Sequence, residues 1–247
     1  MASPGTFILR PQFHYSAYGS DPTRGTSQTE RYQVTVGLQY GIARDWSVDL
    51  RLPVVFQRDT DETTDAETSD EGVEDLDLTV KYRFLKQDTG PLDTFRMAVF
   101  GGARVASGDS EEFSSGSVNP YLGITAMLIR GRHGFGQDLS YQLNTGGAAS
   151  NFGGMGDADA LRYDTSYLFR LSPAEYSEDT YGSLYAVGVL SGLYETNGDH
   201  EVVASPGLMF EAREWAIELM LRLPAWQDVE ERAELDWGLG VGVRLSF

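Results

Sequence analysis

Residues 235–247 alternate without a fault: Leu235, Trp237, Leu239, Val241, Val243, Leu245 and Phe247 fall on one side, and Asp236, Gly238, Gly240, Gly242, Arg244 and Ser246 on the other. A period of two predicts a strand with one apolar face and one polar or empty face. The same alternation predicts further strands over 6–18, 30–40, 46–57, 75–85, 94–106, 118–129, 135–145, 158–171, 181–194, 202–210 and 215–225, twelve in all with 234–247. Each is close to the length of about 9–11 residues that a tilted strand needs to cross a hydrocarbon layer. An even number lets both chain ends fall on one side.

The intervening segments are of two kinds. Those at 41–45, 86–93, 130–134, 172–180 and 211–214 are mostly short, whereas those at 19–29, 58–74, 107–117, 146–157, 195–201 and 226–233 include the longer, acidic and Gly-rich ones. Strict alternation of short and long is what a membrane barrel with periplasmic turns and extracellular loops requires. Aromatic residues give an independent test. Tyr40, Trp46, Phe84, Phe95, Phe135, Phe169, Tyr181, Phe210 and Trp215 lie beside the short turns, with Phe7 and Phe247 at the two ends. Strand propensity explains aromatics in strands, but not their clustering beside one class of turn, which an interfacial girdle does explain. The expected fold is all-β: one antiparallel up-and-down transmembrane β-barrel of twelve strands over residues 1–247, with residues 1–5 a remnant of a replaced start. A soluble β-sandwich is the rival.

Prolines strain the assignment, because a proline removes a ladder donor and a closed barrel has no edge. Pro53, Pro120 and Pro224 are expected near the loop side, whereas Pro11 and Pro206 lie deeper and are expected to mark bulges or misplaced strand ends. A bulge there could open the wall toward the membrane; a local twist with no transport role is the simpler expectation.

Composition alone would misdirect. A hydrophobic content of 41% and no run of about 20 apolar residues suit an ordinary soluble chain, but barrel strands show lipid only every second residue and so escape that test. There is no cysteine, which excludes disulfides and thiolate metal sites. The net charge is −18, yet the polar strand face leans positive. Its expected lumen-lining bases are Arg10, Arg31, Arg51, Lys81, Arg83, Arg96, Arg104, Arg162, Arg170, Arg222 and Arg244, against the acids Asp49, Asp77, Asp138, Asp164, Glu218 and Asp236. Guanidinium groups lining a tube attract anions. Interleaved Arg and Asp also build neutral lattices that fill narrow barrels, so an open channel and a structural or adhesive barrel with a side-chain-filled lumen both remain.

The acids concentrate in the 58–74 loop, where Asp59, Asp61 and Glu62 offer oxygen ligands for a divalent ion but lack EF-hand spacing. Most such runs are solvated, and neither metal nor cofactor is expected. Gly146, Gly147, Gly153 and Gly154 form a loop without the lysine of a phosphate-binding motif, so flexibility is the expectation. His14 and Ser16 share an inward face, the raw material of an outer-membrane lipid hydrolase, but neighbours two apart on one face are nearly 7 Å from each other by strand geometry. No enzymatic activity is expected, and acidic loops exclude a nucleic-acid surface.

Two resemblances attach to particular residues. A chain stopping on Phe247 at the end of an alternating strand resembles the closing strand of bacterial outer-membrane barrels, which implies an outer-membrane location, contact with lipid and lipopolysaccharide, and recognition of that strand by the barrel assembly machinery. In addition Tyr40-Gly41-Ile42, Trp46 to Leu50, Leu52-Pro53-Val54, Asp75-Leu76, Lys81 to Phe84 and Gly102 to Asp109 look like the outer-membrane family associated with meta-pathway phenol degradation, best over residues 30 to 125. This chain has Ala106-Ser107 where the family commonly has Pro-Thr, and Gly72-Val73-Glu74 where it has Gly-Leu-Gly. The resemblance implies passive uptake of small organic solutes, often aromatic or apolar. It carries over no catalytic residue.

Overall fold

The computed structural model describes residues 2–21, 23–109, 113–148, 152–178 and 180–247. Thirteen strands follow in order: β1 (Phe7–Tyr18), β2 (Thr26–Ala43), β3 (Trp46–Asp61), β4 (Glu67–Val73), β5 (Leu76–Asp88), β6 (Thr94–Val105), β7 (Asn119–Arg130), β8 (His133–Gln142), β9 (Ala160–Ser172), β10 (Gly182–Glu195), β11 (His200–Ala212), β12 (Trp215–Asp228) and β13 (Leu235–Ser246). All strand pairings are antiparallel and between neighbours in sequence, except that β5 pairs with β3 rather than β4, and β1 pairs with both β2 and β13, so the sheet closes on itself. Closure removes the unpaired edges that a membrane would not tolerate.

Twelve of these strands form the barrel as expected, and β4 is the addition. The acidic 58–74 segment, expected to be a loop throughout, instead continues β3 to Asp61 and returns as β4. β3 therefore has two partners on one side: residues 46–51 pair with β5, and residues 54–60 pair with β4. Pro53 sits at the change of partner, where its carbonyl accepts the Glu74 amide at 2.9 Å. A proline is tolerated there because no ladder donor is required.

Pro11 and Pro206 are not bulges. On one side each keeps continuous pairing, with Val36 and with Gly188. On the other side the rungs at 10–11 and at 205–206 are missing, with no change of register. The bulges fall elsewhere, including 17/18, 83/85, 184/185 and 202/203.

The apolar face points outward. Phe13, Val34, Val36, Leu38, Leu50, Leu52, Leu208, Ile217 and Leu219 are all exposed, as lipid-facing side chains must be in an isolated barrel. The expected girdle is present beside the short turns: Phe7 lies on Tyr40 and Trp46 on Tyr82, each pair 4.6 Å apart, and Phe210 meets Trp215 at 5.4 Å. A second girdle, not anticipated, runs along the other rim. Trp237, Tyr15, Tyr32 and Phe56 form a ladder with spacings of 5.0, 5.1 and 6.0 Å across four adjacent strands. Near it the His200 ring meets Trp226 at 4.5 Å and the Tyr163 hydroxyl at 2.6 Å. Two girdles bounding an apolar band define a membrane-spanning barrel.

Candidate functional site

Alternation along each strand carries the polar set inward, and closure gathers it into one lumen. At its centre lies a cavity of about 510 Å³. Of the expected lumen residues it is lined by Arg10, Arg51, Lys81, Arg104 and Arg162 and by Asp49, Asp77, Asp138 and Asp164. Five cations thus face four carboxylates. Arg51 spends one donor on Asp49 at 3.0 Å, and Lys81 lies 5.4 Å from the centre of the Phe100 ring.

Toward the long loops a second cavity, of about 340 Å³, shares Arg51, Asp77, Arg104 and Arg162 with the first and adds Arg31 and Arg222. Toward the short turns, Glu218 and Arg244 line a smaller space that shares Arg10 with the central one, and Arg170 lines a further cavity that shares Asp138. The cavities therefore follow one another along the lumen. Gly240 and Gly242 line the side cavity beside Glu218, but the His14 ring and the Glu218 carboxylate take up the space their missing side chains leave.

Three expected lumen residues do other work. Arg83 clasps the first short turn, donating Nε and Nη2 to Asp45 at 3.0 and 2.7 Å and Nη2 to the Arg44 carbonyl at 2.7 Å. Arg96 donates to Thr94 at 3.1 Å and lies 3.9 Å from Asp88 at the same rim. Asp236 lies beside Gly19 at the opposite rim. Proximity to the strand ends, where turn carbonyls and carboxylates compete for them, removes them from the cavity walls.

A loop enters the mouth. The Phe152 ring packs 4.5 Å from Tyr18 and lies under the Arg31 guanidinium at 4.3 Å. Its neighbour Gly154 donates its amide to Glu195 at 2.7 Å and accepts from Gln142 at 2.7 Å. Glycine is required at 154: φ is +79°, and an added Cβ would meet Arg162 at 1.8 Å. Flexibility was the expected role of this Gly-rich segment; positive φ and close approach to an arginine are the observed ones.

No family model and no curated protein matches the chain in sequence. Its fold is similar to an outer membrane channel from Pseudomonas putida, at 13% identity and a TM-score of 0.61 over 100% of this chain and 97% of that one. It is also similar to the beta domain of a Bordetella autotransporter, at 12% identity and a TM-score of 0.54 over 98% and 100% of the two chains. At these identities the likeness is one of fold. The closed barrel with its apolar band and girdles is a bacterial outer-membrane protein.

Outside the membrane two buried charges organise the loops. Asp75 accepts from the Ser107, Gly108 and Ser115 amides and the Ser114 and Ser115 hydroxyls, at 2.6 to 3.2 Å. Burial pushes its pKa up, but these donors more than offset burial and hold it below the usual carboxylate range. Arg232 lies between Glu195, Glu201 and Asp199 at 3.0, 3.2 and 3.8 Å. Burial disfavours its charge; Glu201 and Glu195 outweigh that and raise its pKa.

The proposed oxygen ligands of the acidic segment are engaged locally. Asp59 accepts from Thr29 and from Gln57, and Asp61 Oδ1 accepts the Thr63 and Thr64 amides. Among the described residues no group of three His, Asp or Glu side chains is placed to hold a metal. Ser16 accepts from Arg222 at 3.0 Å. The sequence reading missed Tyr121, whose hydroxyl reaches over Gly102 along the wall of the central cavity and donates to Asp77 at 2.8 Å. Its phase was the available signal: Tyr121 shares the face of Asn119, opposite Leu122.

Proposed function

We propose that the barrel is a passive, narrow outer-membrane channel for small organic solutes, carboxylates among them, guided by inward arginines. The observation that carries this reading is the series of cavities through the lumen, whose central member is lined by five cations and four carboxylates. Fixed charge at close quarters in a low-dielectric tube selects permeants by sign. Arg31 and Arg222 toward the long loops and Arg244 toward the short turns extend the same lean, while around Arg170 two cations and two carboxylates balance. The aromatic or apolar character of the solute is supported by the sequence resemblance over residues 30 to 125. The outward face suits lipid and lipopolysaccharide, and β13 with the exposed Phe247 is the segment we assign to recognition by the assembly machinery.

A structural barrel with a filled lumen is the second reading, favoured by one observation: Phe152 and Gly154 occupy the mouth. Liposome swelling discriminates. The channel reading expects faster swelling in small monocarboxylates than in alkylammonium salts of equal size. Swelling equal to protein-free liposomes in every solute contradicts it and supports the filled barrel.

A further inference from the structure

At the periplasmic end of the lumen the wall changes character. A cavity of about 340 Å³ is walled there by Met127, Ile129, Leu168 and Met209, and Gly134 and Gly136 on β8 present no side chain to it. Pockets of this size, apolar with a few convergent polar groups, take small molecules.

Two cations line that wall, of which Arg132 is already spent on the Arg170 and Leu171 carbonyls at 2.6 and 3.0 Å; the other is Arg170. Arg170 is only 5% exposed, and its guanidinium lies 4.1 Å above the ring of Tyr176, in the segment that follows β9. Its Nη2 reaches the Ala174 carbonyl at only 3.5 Å, and its buried Nε has no hydrogen-bond partner. Among the described residues no carboxylate pairs with it. Two carboxylates line the cavity: Glu211 is instead bonded to Arg244, and Asp138 is shared with the central cavity. A buried guanidinium with an unused donor is costly unless an anion completes it.

We infer that this cavity is a binding site for an amphipathic monocarboxylate, with the carboxylate on Arg170 and an aryl or short alkyl group against Met127, Ile129, Leu168 and Met209. Planar guanidinium and carboxylate match in a two-point hydrogen bond that an ammonium cannot copy. Tyr176 backs the guanidinium plane, and the Tyr185 hydroxyl, 3.2 Å from that of Tyr176, fixes the ring that supports it. The site deepens the channel reading by naming its substrate class, but binding can be measured without transport.

The test is calorimetric titration of the full-length barrel in lipid nanodiscs with phenylbutyrate and its neutral amide, phenylbutyramide. Saturable binding of phenylbutyrate, at least about tenfold tighter than the amide, is expected from a charge-assisted hydrogen bond in an apolar site. Arg170→Gln should abolish that preference, and Arg170→Lys should restore only part of it. Because Arg170 also touches the segment after β9, Gly134→Leu is the second variant. A Cβ there meets only Leu168, at 3.4 Å, so the barrel tolerates it while the side chain fills the cavity. It should weaken acid and amide alike. Equal binding of acid and amide, no saturable binding, or unchanged preference in Arg170→Gln overturns the site. Loss of binding in both variants with swelling rates retained separates the site from the channel reading; binding without any swelling would sink the channel reading and leave the site.

Discussion

Arg232 donates its Nε to Glu195 at 3.0 Å, and both side chains are almost wholly buried beneath the long loops. The other oxygen of Glu195 accepts the Gly154 amide at 2.7 Å, so one carboxylate ties the 229–234 loop to the segment that enters the mouth. Removing one partner of a buried pair costs about 3–5 kcal/mol. Arg232→Met should therefore lower the melting temperature of the detergent-solubilised barrel and increase its conductance in the same preparation. An unchanged melting temperature would show that the pair carries no load.

Phe152 and Gly154 should behave as a stopper. Gly154→Ala places a Cβ against Arg162 at a backbone angle that L residues rarely adopt. The segment should leave the mouth, and single-channel conductance should rise at least about twofold, as removing a side-chain obstruction from a narrow tube implies. Phe152→Ala should act in the same direction. Identical conductance in all three proteins would place the constriction elsewhere.

Acid should release the 106–118 loop. The pKa of Asp75 is lowered on folding, so its contribution is fully present above the unfolded value of about 3.9 and is lost as pH falls through the lower folded value. Protease sensitivity of this loop should be low from neutrality to about pH 5 and should rise below about pH 4, by that linkage. Asp75→Asn should show raised sensitivity already at neutrality. A pH-independent profile in the natural protein would remove Asp75 as the anchor.

The lipid-facing assignment has its own test. Leu219 is exposed at mid-strand, flanked by Leu208 and Val241 on the neighbouring strands. Leu219→Arg should destabilise the barrel in bilayers by about 2–4 kcal/mol, whereas arginine at Ile42, beside a short turn, should cost about 0–1 kcal/mol. Equal costs in lipid would contradict the membrane depth inferred from the girdles.

How much of this the sequence carries depends on where a residue sits relative to lipid. Inside the bilayer the pleat forces strict alternation, so the 235–247 strand and the inward phase of Arg51 or Asp138 are legible directly. Above the bilayer both faces of a hairpin meet water, and β4, Glu-Thr-Ser-Asp-Glu-Gly-Val, has no alternation to read. Arg83 shows a second limit. Phase predicts its inward direction, but its engagement by Asp45 depends on a turn packed in three dimensions. Phe152 shows a third, since a lone aromatic in a Gly-rich loop has no periodicity at all, and only its fit beneath Arg31 reveals its place.

The sign of ion selectivity tests the channel account most directly. Reconstituted into a planar bilayer under a potassium chloride gradient, the barrel should conduct and reverse on the chloride side of zero. Replacing Arg51 and Arg104, which line both the central cavity and the one above it, with glutamine should move the reversal potential toward the potassium side. Arg83→Gln should leave it unchanged, because that guanidinium is spent on a turn. No current, or a cation preference in the natural protein, would contradict the account.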